Sequence, residues 1–153
     1  EPTPGQLALV RLDRLQLADG VTIINDAYNA SPDSMRAALQ TLATLGRQGH
    51  RTIAVLGQMA ELGQYSIDEH DQLGRLVVRY NIDQLYVVGE EAKLIHMGAM
   101  QEGSWDGESV FCETISAAFD AVHDKLSPGD IVLVKSSNIA GLRFLGDELA
   151  GVK

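Results

Sequence analysis

The run Val21-Thr-Ile-Ile-Asn-Asp-Ala-Tyr-Asn-Ala-Ser-Pro-Asp-Ser-Met35 decides how this chain folds. Its first four residues are β-branched and read as a strand. Ser31 suits a helix N-cap and Pro32 the first helical position, and Met35, Ala38, Leu39, Leu42 and Leu45 then recur at helical spacing. The polar turn between strand and helix holds a carboxylate, a phenol, an amide and a hydroxyl. Turns after the carboxyl ends of parallel strands are where open α/β sheets bind ligands.

The same alternation continues on both sides. Upstream, residues 7–17 read as an extended segment that forms an edge hairpin. Downstream, residues 51–56 predict a strand that ends at Gly57, followed by the loop 58–65 and by Ser66-Ile-Asp-Glu69, a capping box that opens a second helix. A strand at residues 84–88, a helix from Glu90 to about Gln101, a Gly-rich loop around Trp105 and a short strand at 109–112 come next. A helix from Ile115 to Leu126, the turn Ser127-Pro-Gly-Asp130, a strand at 131–134 and a helix after Asn138 complete the pattern. Strands that are almost continuously apolar, alternating with helices, predict a Rossmann-like, doubly wound, mostly parallel α/β sheet with helices on both faces.

The 153 residues suit one domain, with 45% hydrophobic and 22% charged residues, close to the globular average. A net charge of -9, with the twelve Lys and Arg scattered, argues against a nucleic-acid partner. The single cysteine, Cys112, lies in an apolar run; it forms no internal disulfide, reads as a buried thiol and favours a reducing compartment. No apolar stretch reaches the length of a membrane span and no signal-peptide pattern opens the chain, so a soluble, cytoplasmic protein is expected. Residues 1–6, Glu-Pro-Thr-Pro-Gly-Gln, read as the remnant of an interdomain linker ahead of a domain over 7–153.

Three loops, 26–34, 57–65 and 135–138, should share the carboxyl edge of such a sheet and form one site. Asp26 is placed where a carboxylate grips ribose hydroxyls, and Ser31 at a helix start could meet an anion; the competing reading is that both only organise the turn. Lys135-Ser136-Ser137-Asn138 reads either as a receptor for a carboxylate or phosphate or as a capped helix beside a solvated lysine. His70 is a candidate base or a packing histidine. His50, His96 and His123 have no metal-ligand spacing, and no metal site is expected. No G-x-x-x-x-G-K-[ST] loop, no G-x-G-x-x-G after the first strand and no nucleophile elbow occur. A complete nucleotide-driven or hydrolytic enzyme is therefore not found in these residues.

Three motifs in order, Asn25 to Met35, Ala-Val-Leu-Gly-Gln-Met-Ala-Glu-Leu-Gly (54–63) with Glu69-His70 after it, and Gly-Asp-Ile-Val-Leu-Val-Lys-Ser-Ser (129–137), make nearly the whole chain resemble the C-terminal domain of Mur ligases. The resemblance is to the branch that joins D-alanyl-D-alanine to UDP-N-acetylmuramoyl-tripeptide in bacterial peptidoglycan synthesis. It implies a three-domain parent whose other domains hold the UDP substrate, and ATP with Mg2+. There the tripeptide carboxylate becomes an acyl phosphate that the dipeptide amine attacks. The C-terminal domain places the amine, which is orientation rather than proton chemistry. By position the resemblance makes Asp26, Tyr28 and Asn29 nucleotide-facing, and Asn29, Ser31, Lys135, Ser136, Ser137 and Asn138 dipeptide-facing. It implies no catalytic residue in this domain alone, no ATP or metal held by it alone, and an isolated domain that is inactive.

Glu61, His70 and Arg143 are further candidates, and Met59 and Leu62 read as packing. The family commonly has Asp, Asn and Gly where Asn25, Ser31 and Ser136 stand, and a basic residue where Asn138 stands, with Arg143 one turn further on as a substitute. Two other readings stay open: a folylpolyglutamate-synthase-like ligase domain with another amino-acid acceptor, and a free-standing α/β binding module. An in-frame P-loop domain upstream of Glu1 separates the last from the first two.

Overall fold

Six strands form one sheet in the computed structural model, which describes residues 15–18, 20–26, 30–103, 108–137 and 140–149. In chain order the elements are β1 (Leu15–Ala18), β2 (Val21–Asp26), α1 (Pro32–Gly46), β3 (Thr52–Leu56), α2 (Ser66–Arg79), β4 (Gln84–Val88), α3 (Lys93–Glu102), β5 (Ser109–Cys112), α4 (Ile115–His123), β6 (Ile131–Lys135) and α5 (Leu142–Leu149). The strand order is β1-β2-β6-β3-β4-β5. β2, β6, β3, β4 and β5 are parallel, and β1 is an antiparallel edge arm on β2. The part of the expected hairpin before Leu15, the linker 1–6 and the Trp105 loop lie outside the described residues.

Period-2 alternation sends the side chains of the parallel strands to two separate cores. Ile24, Ala54, Leu56, Leu85, Val87 and Leu133 pack with α1, α2 and α3. Ile23, Ile53, Val55, Tyr86, Val88, Val132 and Val134 pack with α4 and α5 on the other face. The sheet is therefore doubly wound, as the sequence predicts. α1 begins as expected: the Ser31 hydroxyl accepts from Ser34 N–H at 3.1 Å, and Ser34 Oγ accepts from Ser31 N–H at 2.9 Å.

Four local expectations are corrected. The 66–69 capping box does not form, because a 3-10 turn over Gly63–Tyr65 runs straight into α2 and makes Ser66 its first helical residue, with Tyr65 at the N-cap position and no side-chain cap bond. The helix expected from Glu90 opens as a 3-10 turn, Glu90–Ala92, before α3. α4 stops at His123, short of Leu126, because the chain turns at Asp124 and Lys125 toward Asp130, whose carboxylate accepts from Ser127 N–H at 2.8 Å. The helix after residue 138 starts at Leu142, so Lys135-Ser136-Ser137 ends a strand rather than opening a helix.

α2 and α3 cross on glycine. A Cβ on Gly74 would lie 1.9 Å from the Ile95 carbonyl oxygen, and one on Gly98 would lie 2.2 Å from that of Asp71. Each helix thus seats its backbone in the other's gap. Arg75 straps the crossing, bonding Asp71 on its own helix (2.9 Å) and Glu102 on α3 (3.3 Å), and Arg79 bonds Glu102 at 2.9 Å.

Candidate functional site at the carboxyl edge of the sheet

β2, β6 and β3 end side by side, with Asp26 in register with Lys135 and Lys135 in register with Leu56. Lys135 is only 2% exposed, and its Nζ donates to Asp26 Oδ2 at 2.5 Å. The Asp26 side chain stays 17% open, so this carboxylate reaches the surface while its cation is enclosed. The next residues knit the edge together. Gly57 N–H donates to the Lys135 carbonyl (3.0 Å), Ser137 N–H to the Gln58 carbonyl (2.8 Å) and Ser136 Oγ to the Ser137 carbonyl (2.9 Å). Ser136 and Ser137 are buried, and Ser137 Oγ has no hydrogen-bond partner among the described residues. Gly57 makes room for Ser136: a Cβ there would lie 2.8 Å from the Ser136 Cβ.

The loop after β3 is held from behind. His70 is buried; its Nε2 accepts from Met59 N–H at 3.0 Å, and its Nδ1–H donates to the Ser66 carbonyl at 2.7 Å. Both ring nitrogens are engaged, so His70 pins the loop. Met59 is buried, Leu62 packs against the core, and Glu61 is exposed with φ at +63°, a left-handed conformation uncommon for glutamate. On the opposite face, Asn25 is fully buried under α5. Its Nδ2 donates to the Arg143 carbonyl (2.9 Å) and to Asp147 Oδ1 (3.0 Å), and its Oδ1 has no partner among the described residues. The Arg143 guanidinium lies over the Phe144 ring, 4.8 Å from its centroid.

A cleft of about 480 Å³ opens along the same edge, lined by Gln58, Val88, Gly89, Glu91, Glu113, Thr114, Ile115, Ala140 and Leu142. It lies at a winding switch, since the helix after β4 covers one face of the sheet and the helix after β5 the other. Its floor is apolar, its rim carries two carboxylates, and the α4 N-terminus, capped by Thr114, forms one wall. Cys112, just before it, is buried, and burial raises its thiol pKa, which suits an inert side chain.

Of the residues singled out in the sequence, Asp26, Lys135, Ser136 and Ser137 come together at this edge, and Ser31 stands exposed at the start of α1. Tyr28, Asn29 and Asn138 lie outside the described residues. The sequence reading missed Glu91, Glu113 and Thr114. The signal was available: the carboxyl-edge rule applied to the loops after β2, β3 and β6 holds equally for the Gly89 and Thr114 loops.

Fold and edge together define a doubly wound α/β domain whose candidate ligand face is the carboxyl edge of its sheet. The family model for the Mur ligase glutamate ligase domain matches residues 10–138. The UDP-N-acetylmuramoyl-tripeptide--D-alanyl-D-alanine ligase of Mycobacterium leprae is 44% identical over 96% of this chain and 31% of its own length, and that of Mycobacterium bovis is 47% identical over 86% and 29%. Among solved structures, MurF from Acinetobacter baumannii superposes with a TM-score of 0.77 at 26% identity, covering 99% of this chain and 31% of that one. MurF ligase from Thermotoga maritima in complex with ADP gives 0.72 at 25% identity over 99% and 32%. This chain belongs to the Mur ligase family, and it spans about 30% of the length of the curated relatives it matches.

Proposed function

We propose that this chain is the C-terminal domain of an ATP-dependent amide ligase that adds D-alanyl-D-alanine to UDP-N-acetylmuramoyl-tripeptide in the bacterial cytoplasm, as part of peptidoglycan synthesis. Relatives of that name at 44–47% identity support the substrate pair, and the ADP complex of a structural neighbour supports the nucleotide. The observation that carries the reading is the carboxyl edge itself, where an open carboxylate, Asp26, and a cleft rimmed by two carboxylates and the α4 N-terminus stand on one row of strand ends. Asp26 fits a hydroxyl donor: one oxygen is held by Lys135, and no described residue bonds the other. ATP bound there supplies the phosphoryl group that activates the tripeptide carboxylate. Mg2+ belongs with the parent's central domain.

The cleft suits a small zwitterionic dipeptide. Glu91 and Glu113 attract its ammonium, the α4 N-terminal N–H groups favour its carboxylate, and Val88, Ile115, Ala140 and Leu142 accept methyl side chains. Strand ends lie about 4.8 Å apart, so β2 and β4 stand roughly 14 Å apart along the edge. Nucleotide and acceptor therefore occupy separate stretches. In the full-length ligase, Glu113→Gln is expected to raise the D-alanyl-D-alanine KM several-fold and leave the ATP KM unchanged, as read by steady-state ADP release. An unchanged dipeptide KM would remove the cleft from the acceptor site.

A further inference from the structure

Lys135 stands on the wrong face of the sheet to meet a ligand in the cleft. Along β6, Leu133 joins the core under α1, Val134 joins the core under α5, and Lys135 returns to the α1 side. Along β2, Ile24 and Asn25 alternate in the same way, which brings Asp26 to Lys135 on the α1 side. The cleft is built from Val88, Ile115 and Leu142, all of the α5-side core. The lysine stem is enclosed between two strand ends, and its ammonium bonds Asp26 Oδ2.

We propose that Lys135 is a positioning residue for the nucleotide, acting through Asp26, and that it does not bind the dipeptide; this rests on the ligase reading above. Two physical effects follow from the pair. A lone carboxylate beside a polyphosphate is repelled, and an enclosed ammonium cancels that charge while leaving the outer oxygen able to accept a hydroxyl hydrogen bond. A charge-assisted bond from a cation that cannot swing into solvent also fixes the plane of the carboxylate.

The test is steady-state kinetics of the full-length ligase carrying this domain, with ATP and D-alanyl-D-alanine varied in turn, for Lys135→Met, Lys135→Arg, Asp26→Asn and the double variant Asp26→Asn with Lys135→Met. Lys135→Met is expected to raise the ATP KM on the order of tenfold and leave the dipeptide KM unchanged. In the Asp26→Asn background it should add nothing, because its route of action is gone. Lys135→Arg keeps the cation, should recover part of the ATP KM, and carries the test alone if the methionine variant does not accumulate. A raised dipeptide KM in any of the three single variants, or a full additional rise in the double variant, overturns the proposal. If the unsubstituted enzyme releases no ADP with all three substrates, the ligase reading fails and takes this inference with it, an outcome distinct from an active enzyme whose dipeptide KM moves.

Discussion

Asn25 donates both amide hydrogens, one to a helix carbonyl and one to the Asp147 carboxylate, so the position requires a donor. Asn25→Asp, the residue common in the family pattern, would set a buried carboxylate against a second carboxylate. It is expected to lower stability by about 3 kcal/mol in urea unfolding, with Asp147→Asn recovering part of the loss. Equal stability of Asn25→Asp would contradict this account. His96 supplies a pH dependence. Burial, and behind it the nearby Lys93 ammonium, lowers its pKa, and its Nδ1 lies 2.6 Å from Ser109 Oγ. The unfolded chain then takes up this proton before the folded one does. Its contribution is complete above the unfolded value of about 6.5 and is lost as pH falls through the lower folded value. Urea midpoints followed downward from neutral pH should decline less steeply in His96→Gln. At this scale the sequence singled out Asp26, Lys135, Ser136 and Ser137, which the structure brings to one edge, but not their partners. Lys135 looked free because Asp26, 109 positions away, meets it only through the β2–β6 register.

Helix crossings are settled by what two elements present to each other, and the α2–α3 contact is the sharpest case. Gly74→Ala and Gly98→Ala place a methyl carbon inside a neighbouring carbonyl, and only separation of the helices relieves it. Each is expected to destabilise the chain by about 3 kcal/mol or more in urea unfolding, whereas the same change at an exposed helical glycine stabilises by roughly 0.4–1 kcal/mol. A mild effect would mean that the helices part at little cost. Nearly every strand and helix was legible in the sequence, because β-branched runs and helical apolar spacing are local signals. The 66–69 capping box misled, because a backbone turn entering from Gly63 took over the role that the serine side chain was expected to play. The cleft escaped notice because no single segment builds it: its walls come from the ends of β3, β4 and β5 and the approach to α5.

Across the whole molecule, the sequence holds no G-x-x-x-x-G-K-[ST] loop, and on the ligase reading proposed above catalysis depends on other domains of the full-length enzyme. The 153-residue chain, mixed with ATP, UDP-N-acetylmuramoyl-tripeptide and D-alanyl-D-alanine, is expected to release no ADP above background; turnover would relocate the chemistry to this domain. The strand order carries a different kind of consequence. Among the described residues, β6 comes last of the six strands in the chain yet lies between β2 and β3, and it pairs with β2 in parallel. On the ribosome, β2 and β3 are therefore made early and must wait, with apolar edges open, until residues 131–135 emerge. A chain ended at residue 130 should show no cooperative unfolding transition by circular dichroism. Biosynthesis thus delivers Asp26 long before Lys135, and a prematurely terminated product never assembles the Asp26–Lys135 edge, leaving proteases an unfolded chain rather than a half-built domain.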